Sequence, residues 1–322
     1  DMGQSKENRD NPFYRLRIMG LNGSSKLNFL KFVKNVQCNA PIEIWTNNLI
    51  EMMRVSLRES VLDAINTYKT TSLNEWIKMY PTSVSLLAIQ TLYTYEIDEC
   101  FNNFENNVHT FKEYKQRLMS KCEVLVNLLH DEKYEEYYEQ ISAILTAFNT
   151  HTNTTNFLCD RIPNFSQKFN WEHYLKIRIQ DNKFFVDFDD VTIEHGYEFY
   201  GSAIIFIHSQ ASMTAQNSIC NSLHHGLLPY FFGSAEVGKK DLIIGLGFLY
   251  GQYIFTIPGF VDYSQTILTR VFAGVANTGC WVVFHDINMQ SLDSLTYIYD
   301  TLHEFQVPKI EGKITLKNKY KA

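Results

Sequence analysis

Glycine and proline are scarce in this sequence. Its 322 residues include 15 glycines and 7 prolines, which excludes a collagen-like chain and a Pro/Gly-rich disordered one. With few helix breakers and 14% aromatic residues, the chain is suited to long helices around a thick core. Hydrophobic residues make up 45% and charged residues 20%, which is typical of folded proteins, and the length suffices for about two domains.

Paired cysteine motifs are also lacking. The cysteines occur singly, at Cys38, Cys100, Cys122, Cys159, Cys220 and Cys280. Without C-x-x-C spacing the sequence offers neither a local zinc knuckle nor a disulfide framework, so we expect reduced thiols and no metal site.

The sequence shows neither a strongly basic character nor a leader. The net charge is −6 and the sequence pI is about 5.9. The chain as a whole therefore lacks the excess of positive charge that is typical of nucleic-acid-binding proteins. The polar start, from Asp1 to Pro12, does not resemble a signal peptide. We therefore expect a cytosolic protein that does not have nucleic acid as a partner.

One apolar run, from Leu242 to Phe260, has about the length of a membrane span. It contains Gly245, Gln252 and Pro258, and its character changes midway from aliphatic to aromatic. A buried helix followed by a buried strand explains it better, so no membrane partner is expected.

The first half has the apolar period of helices. From Pro41, a residue suited to a helix start, apolar residues recur at every fourth position between Trp45 and Ile65. Further helices are predicted near 86–104, 107–128 and 132–149, and loops at 149–156 and 161–166. Residues 1–26 are a polar lead-in, and 27–178 are predicted to be a helical array.

The second half changes to strands that alternate with helices. Strands are predicted at 183–190, 202–208, 227–232, 253–257 and 280–285, with helices near 212–224, 239–250, 264–277 and 290–305. This alternation indicates a parallel α/β sheet. The boundary falls near 170–190, so the second domain is predicted to span 179–322.

A glycine-rich turn follows the predicted strand 227–232. Gly233 and Gly238 enclose four residues, and Lys239 and Lys240 come next, at the start of a predicted helix. This is the frame of a P-loop, in which the turn wraps phosphates, the lysine contacts them and a helix N-terminus lies behind. Gly233, Gly238, Lys239 and Lys240 are therefore the predicted nucleotide-binding residues. For Lys239 the alternative is a solvated lysine at a helix start.

An acidic residue ends the predicted strand 280–285. Asp286 lies at the carboxyl end of that strand, where the sites of α/β sheets form. It is the candidate catalytic residue, as an acid that orients water, and a plain strand-end carboxylate is the alternative. For His285 the alternatives are a metal ligand and a hydrogen-bonded strand-end histidine.

Several segments resemble dynein heavy chains in colinear order. Those that resemble the first AAA+ module are Gly196–Gly201 (GYEFYG), Phe255–Tyr263, Phe272–Gly279 and Gly279–Asn288 (GCWVVFHDIN), the last being similar to the Walker B region. Those that resemble the end of the dynein linker include Glu43–Trp45, Ser56–Arg58 and Trp76–Ile77. The resemblance covers residues 41–317.

The resemblance implies a fold class of α plus α/β, with a helical linker array followed by an incomplete P-loop AAA+ large subdomain built on a parallel sheet. It implies a segment of an ATP-dependent microtubule motor located in the cytoplasm and cytoskeleton, with the cilium axoneme as the more specific location. ATP is the implied cofactor. The implied partners are microtubules and the dynein light, intermediate and light-intermediate chains.

The chain departs from the family where the chemistry takes place. Lys240 stands where the family has a Mg²⁺-binding Thr, and His285 where it has a Mg²⁺-holding Asp. A lysine ammonium about 4 Å from the doubly charged Mg²⁺ repels it by roughly 8 kcal/mol at an effective dielectric near 20. Asp286 replaces a water-orienting Glu and is one methylene shorter, and Glu236 places a carboxylate in the phosphate loop.

These departures predict an impaired ATP site with weak Mg²⁺ binding, so enzymatic activity at this site is an open question. The alternative is a non-hydrolysing, dynein-like structural or partner-binding subunit. A third interpretation is a helical interaction module without a nucleotide role.

Overall fold

The computed structural model describes residues 15–20, 29–37, 41–103, 110–160, 171–189, 191–200 and 210–306. Contacts divide the chain into two compact units. The first comprises Asp1–Gln210 together with Phe248–Gly251, and the second comprises Ala211–Gly247 together with Gln252–Ala322. The domain boundary expected at residue 178 stays a prediction.

Helices dominate the first unit. They are α1 (Ile42–Tyr68), α2 (Leu73–Met79), α3 (Thr82–Asn103), α4 (Thr110–Leu129) and α5 (Tyr138–Asp160), with a 3-10 turn at Glu132–Tyr137 before α5. The apolar stripe of α1 buries Leu49, Leu57 and Val61. The predicted helices are thus confirmed in the described residues, and α2 is an additional one.

The loop predicted at 149–156 is wrong, because α5 continues through it to Asp160. The threonines that suggested a loop donate their hydroxyls to carbonyls four residues earlier: Thr150 to Thr146 O (2.9 Å), Thr152 to Phe148 O (2.8 Å) and Thr155 to His151 O (2.7 Å). These bonds satisfy the polar side chains inside the helix. Thr155 can therefore be fully buried.

Buried hydrogen bonds tie the helices of the first unit together. Trp76 on α2 is fully buried and donates its indole N–H to Ala64 O on α1 at 2.9 Å. The side-chain amide of Gln140 on α5 donates to Ile77 O (2.8 Å) and to Tyr80 O (2.7 Å), at the end of α2. The short α2 is thus held by partners on two longer helices.

Two strands precede the helices, within and just after the predicted polar lead-in. β1 (Arg15–Gly20) and β2 (Phe29–Gln37) pair in antiparallel fashion. β2 buries Leu30, Phe32 and Val36 and packs on α1, where Val33 N–H donates to Ser56 Oγ at 3.1 Å. This hairpin was not predicted from the sequence.

A three-stranded antiparallel sheet ends the helical part of the first unit. Its strands are β3 (Lys176–Gln180), β4 (Lys183–Phe188) and β5 (Val191–Glu194). Asp181 and Asn182 join β3 to β4 with positive φ angles of 50° and 59°, as a type I′ hairpin turn requires. Only β4 was predicted, and its antiparallel pairing corrects the expectation that it belongs to a parallel sheet.

The second unit has α/β character. Its elements are α6 (Gln210–His224), α7 (Lys239–Tyr250), β6 (Ile254–Pro258), α8 (Gln265–Thr278), β7 (Trp281–His285) and α9 (Leu292–Gln306). β6 and β7 pair in parallel, which confirms the predicted parallel pairing for these two strands. A core of Leu268, Phe272, Tyr297 and Ile298 packs α8 against α9.

The apolar run 242–260 folds as predicted, as the helix α7 followed by the strand β6. Leu246, Tyr250 and Ile257 within it are buried. Among the described residues, no helix is long and apolar enough to cross a membrane.

The strand predicted at 227–232 is not formed. This segment lies outside regular secondary structure, with Tyr230 74% and Phe232 93% exposed. Pro229 removes a backbone donor from the middle of the segment, which weakens strand pairing there. The strand predicted at 202–208 lies outside the described residues.

Candidate phosphate loop and strand end

The loop from Gly233 to Gly238 makes the sharp turn expected of a phosphate-binding loop. Gly238 has a φ of +81°, in the left-handed region, and is followed directly by the first residue of α7. Leu242 N–H bonds to Gly238 O at 3.0 Å, so the helix starts at the loop. The earliest amides of a helix have no carbonyl partner within it and carry partial positive charge, which makes this end suited to an anion.

Lys239 reaches back over the loop. Its ammonium donates to Gly233 O at 3.1 Å and to Ser234 O. Lys240 is exposed in the same helical turn. The two lysines and the helix end therefore put positive charge at the mouth of the loop, while Glu236, at a φ of +60°, adds one exposed carboxylate.

The end of β7 carries the second group of candidate residues. Asp286 leaves the strand in the left-handed region (φ +53°), and its Oδ2 lies 2.8 Å from Nδ1 of His285. Both side chains are about half exposed. His285 thus lies beside a carboxylate at the end of the strand, and both alternatives given for it stay predictions.

The residues present do not fit Mg²⁺. This ion prefers oxygen ligands in near-octahedral geometry, whereas Lys240 brings an ammonium and the carboxylate of Asp286 is already paired with His285. In the part of the chain that the structure describes, no group of three or more His, Cys, Asp or Glu side chains could hold a metal ion.

Gln290 was missed by the sequence analysis. It is 8% exposed, and its side-chain amide donates to Gly259 O (2.7 Å) and Val261 O (2.6 Å). Gly259 N–H in turn bonds to His285 O at 2.6 Å, and a Cβ on Gly259 would lie 2.0 Å from Asp286 O. The loop after β6 is therefore locked to the end of β7 beside Asp286.

His195 is a second residue that was missed, although it directly precedes the GYEFYG motif. It is 3% exposed, and burial lowers its pKa from 6.5 to about 3. Its Nδ1 accepts from Tyr197 N–H at 3.1 Å, and its ring also bonds the backbone of Phe248, near the end of α7. A single sequence gives no signal for this long-range contact.

The candidate residues thus form two groups with separate contacts. Gly233, Gly238 and Lys239 meet in the loop, with Lys240 beside them, whereas Asp286 is held by His285 at the end of β7. Within the described residues, the loop lacks the preceding strand that the P-loop frame leads one to expect.

Sequence comparison finds dynein chains from several organisms as relatives. The chain is 24% identical over 277 residues to the ciliary dynein beta chain of Heliocidaris crassispina, with 84% of the chain aligned. It is 25% identical over 298 residues to human dynein axonemal heavy chain 17 (90% of the chain) and 25% identical over 270 residues to the flagellar outer-arm dynein beta chain of Chlamydomonas reinhardtii (80%).

This similarity, which extends over most of the chain, supports a divergent dynein heavy chain segment. The chain spans about 6% of the length of these three relatives. No protein-family model matches it. Of the dynein-like segments, the one that contains Gly259, Asp262 and Tyr263 forms the loop that Gln290 holds at the end of β7, beside Asp286.

Proposed function

We propose that this chain is a segment of an axonemal dynein heavy chain that works as part of an ATP-dependent microtubule motor. Residues 27–178 would be the end of the linker, and 179–322 part of the large subdomain of the first AAA+ module. The named relatives, which are ciliary, axonemal and flagellar dyneins, support this proposal. Under this proposal the protein is located in the cytoplasm, on the cytoskeleton and in the cilium axoneme.

The partners follow from the same proposal. Microtubules would be reached through the whole heavy chain, and the dynein light, intermediate and light-intermediate chains would assemble with it. The size of the native polypeptide tests this part. An antibody against residues 41–170 should detect a band far above 37.6 kDa, whereas a single band near that mass would favour a stand-alone partner-binding subunit.

At the loop itself we propose a site that binds ATP but turns it over slowly or not at all. The observation that carries this is the position of Lys239, whose ammonium already lies over the carbonyls of Gly233 and Ser234 at the start of α7. Gly233, Gly238 and Lys239 would hold the phosphates, and Lys240 would neutralise charge that Mg²⁺ neutralises in the family.

Asp286 is assigned a weak catalytic role at most. A water-orienting acid must approach the attacked phosphate closely, and a misplacement of about 1 Å can lower a rate by roughly 10²-fold. Asp286 has a short side chain, and its carboxylate lies 2.8 Å from Nδ1 of His285. Binding of a fluorescent ATP analogue, with and without EDTA, tests the site: we expect EDTA-insensitive affinity that Lys239→Ala abolishes.

The non-hydrolysing subunit remains the second candidate, and one observation favours it. Both positions at which the family holds Mg²⁺ carry basic side chains here, Lys240 and His285. If ATP binds without turnover and the native polypeptide is small, this candidate replaces the motor. Absence of any nucleotide binding would instead favour the helical interaction module.

A further inference from the structure

The loop that joins β6 to α8, residues 259–263, is here called the strand-end loop, and the side chain of Gln290 holds it. The amide of Gln290 donates to Gly259 O at 2.7 Å and to Val261 O at 2.6 Å, from a position that is 8% exposed. The loop and the glutamine belong to the same compact unit. One buried side chain thus bonds two carbonyls of a short loop.

The orientation of this amide follows from its partners. Carbonyl oxygens only accept hydrogen bonds, so the NH₂ group of Gln290 must face Gly259 O and Val261 O. Its Oε1 is buried as well, and within the part of the chain that the structure describes it has no hydrogen-bond partner. A buried acceptor without a partner costs free energy. The contribution of Gln290 is therefore its two donated hydrogen bonds.

The strand-end loop lies directly against the main chain of Asp286. Gly259 N–H donates to His285 O at 2.6 Å, and a Cβ on Gly259 would lie 2.0 Å from Asp286 O. The same carbonyl oxygen of Asp286 accepts Met289 N–H at 2.9 Å. Asp286 has a φ of +53° and a ψ of 44°, a left-handed conformation that costs free energy for an L side chain and persists where the surroundings enforce it.

We propose that Gln290 is a positioning residue for the carboxylate of Asp286. It acts through Gly259, because its amide keeps the strand-end loop packed on Asp286 O. The main chain of Asp286 then stays left-handed, and this conformation sets the direction in which its side chain leaves the end of β7, with Oδ2 2.8 Å from Nδ1 of His285. The inference rests on the proposed function, in which Asp286 has a weak catalytic role.

Gln290→Met tests this role, because methionine has a similar length and volume but neither the two donors nor the buried oxygen. In the ¹³C,¹⁵N-labelled protein, the Cα and carbonyl chemical shifts and the HN–Hα coupling of Asp286 report its φ by NMR. We expect the wild type to show the left-handed signature and Gln290→Met to lose it. The ring nitrogen shifts of His285 should change as well, because the carboxylate beside them moves. Gly259→Ala, whose Cβ collides with Asp286 O, should cause the same two changes.

The matched control is Ser294→Ala. The hydroxyl of Ser294 lies 3.2 Å from Asp262 Oδ1 and 3.0 Å from Tyr263 O, so this variant also loosens the strand-end loop, but at its other end. It should keep both wild-type signals. An Asp286 signature that is unchanged in Gln290→Met, or lost equally in Ser294→Ala, would overturn the inference. If Gln290→Met does not fold, Gln290→Asn, whose shorter amide cannot reach both carbonyls, takes its place with the same expectations and the same overturning results.

ATP binding separates this inference from the proposed site. Among the described residues, the amide of Gln290 bonds to the strand-end loop and not to the phosphate loop. Sites without shared partners act independently, so the affinity of Gln290→Met for a fluorescent ATP analogue should stay within about threefold of the wild type. If the wild type binds no nucleotide but the Asp286 signals behave as expected, the proposed site fails while the positioning role stands. A loss of binding as complete as in Lys239→Ala would overturn the inference, because Gln290 would then support the whole unit.

Discussion

The imidazole of His195 lies directly against Gly251, so closely that a Cβ at position 251 would be 2.3 Å from the ring. Gly251 also has a φ of +61°, which L side chains rarely adopt. We therefore expect Gly251→Ala to lower the free energy of unfolding by about 2–4 kcal/mol, from overpacking and backbone strain. Urea denaturation measures this change.

The matched control is Gly274→Ala. Gly274 lies inside α8, and a Cβ there meets no atom within 4 Å. Alanine is the better helix former by about 0.5–1 kcal/mol, so this variant should be slightly more stable than the wild type. Equal effects at the two positions would contradict the described packing of His195.

Stability should depend on pH through His195. Its pKa is about 3 in the folded protein, against an ordinary value of 6.5 for an exposed histidine, so between these values the unfolded state binds the additional proton. The stability that neutral His195 contributes is thus complete above pH 6.5 and is lost as the pH falls through this window. The expected slope is about 1.4 kcal/mol per pH unit.

The comparison variant for this titration is His195→Gln, which lacks a titrating group. Thermal or urea unfolding between pH 4.5 and 7.5 should show the wild type losing its advantage over His195→Gln as the pH falls. Parallel pH profiles for the two proteins would mean that His195 is not buried in its neutral form.

The amide of Gln140 should be essential to the packing of α2. It donates to Ile77 O and Tyr80 O from a buried position. Gln140→Leu keeps much of the volume but leaves two carbonyls without this donor, so the free energy of unfolding should fall by about 2–4 kcal/mol. Gln116→Leu, at an exposed position of α4, should change it by less than about 0.5 kcal/mol.

Lys240 should determine how nucleotide binding responds to Mg²⁺. Lys240→Thr removes the ammonium and supplies a hydroxyl, so affinity for an ATP analogue should become sensitive to EDTA. We expect Mg²⁺ to tighten binding by at least tenfold in this variant and by less than twofold in the wild type. Lys112→Thr, a change at an exposed lysine of α4, serves as the control and should leave the EDTA response unaltered.

Much of the fold follows from local pattern. The run β6, α8, β7 and α9 was predicted to within about two residues, because apolar periodicity and terminal residues such as Gly279, which ends α8 at a φ of +70°, act within a few positions. The end of α5 was not predicted, because a threonine hydroxyl can bond either to a carbonyl of its own helix or to backbone groups in a turn. The strand at 227–232 failed because strand formation needs a partner that no local pattern supplies.

For the candidate site too, local sequence motifs predicted one part, and long-range contacts were missed. The turn at Gly238 and the place of Lys239 at the start of α7 follow from a contiguous motif. Gln290 and His195 contact residues 31 and 53 positions away, at Gly259 and Phe248. Contacts between residues so far apart in the sequence form only in the folded chain, so no local sequence pattern predicts them.

Measuring ATP binding and phosphate release by the same purified protein, in Mg²⁺ and in EDTA, tests the central claim most directly. We expect one affinity in both conditions, lost in Lys239→Ala, with phosphate release that is slow or absent and does not depend on Mg²⁺. Turnover that requires Mg²⁺ and disappears in Lys239→Ala and in Asp286→Asn would contradict it, because the loop and the end of β7 would then form a working ATPase site.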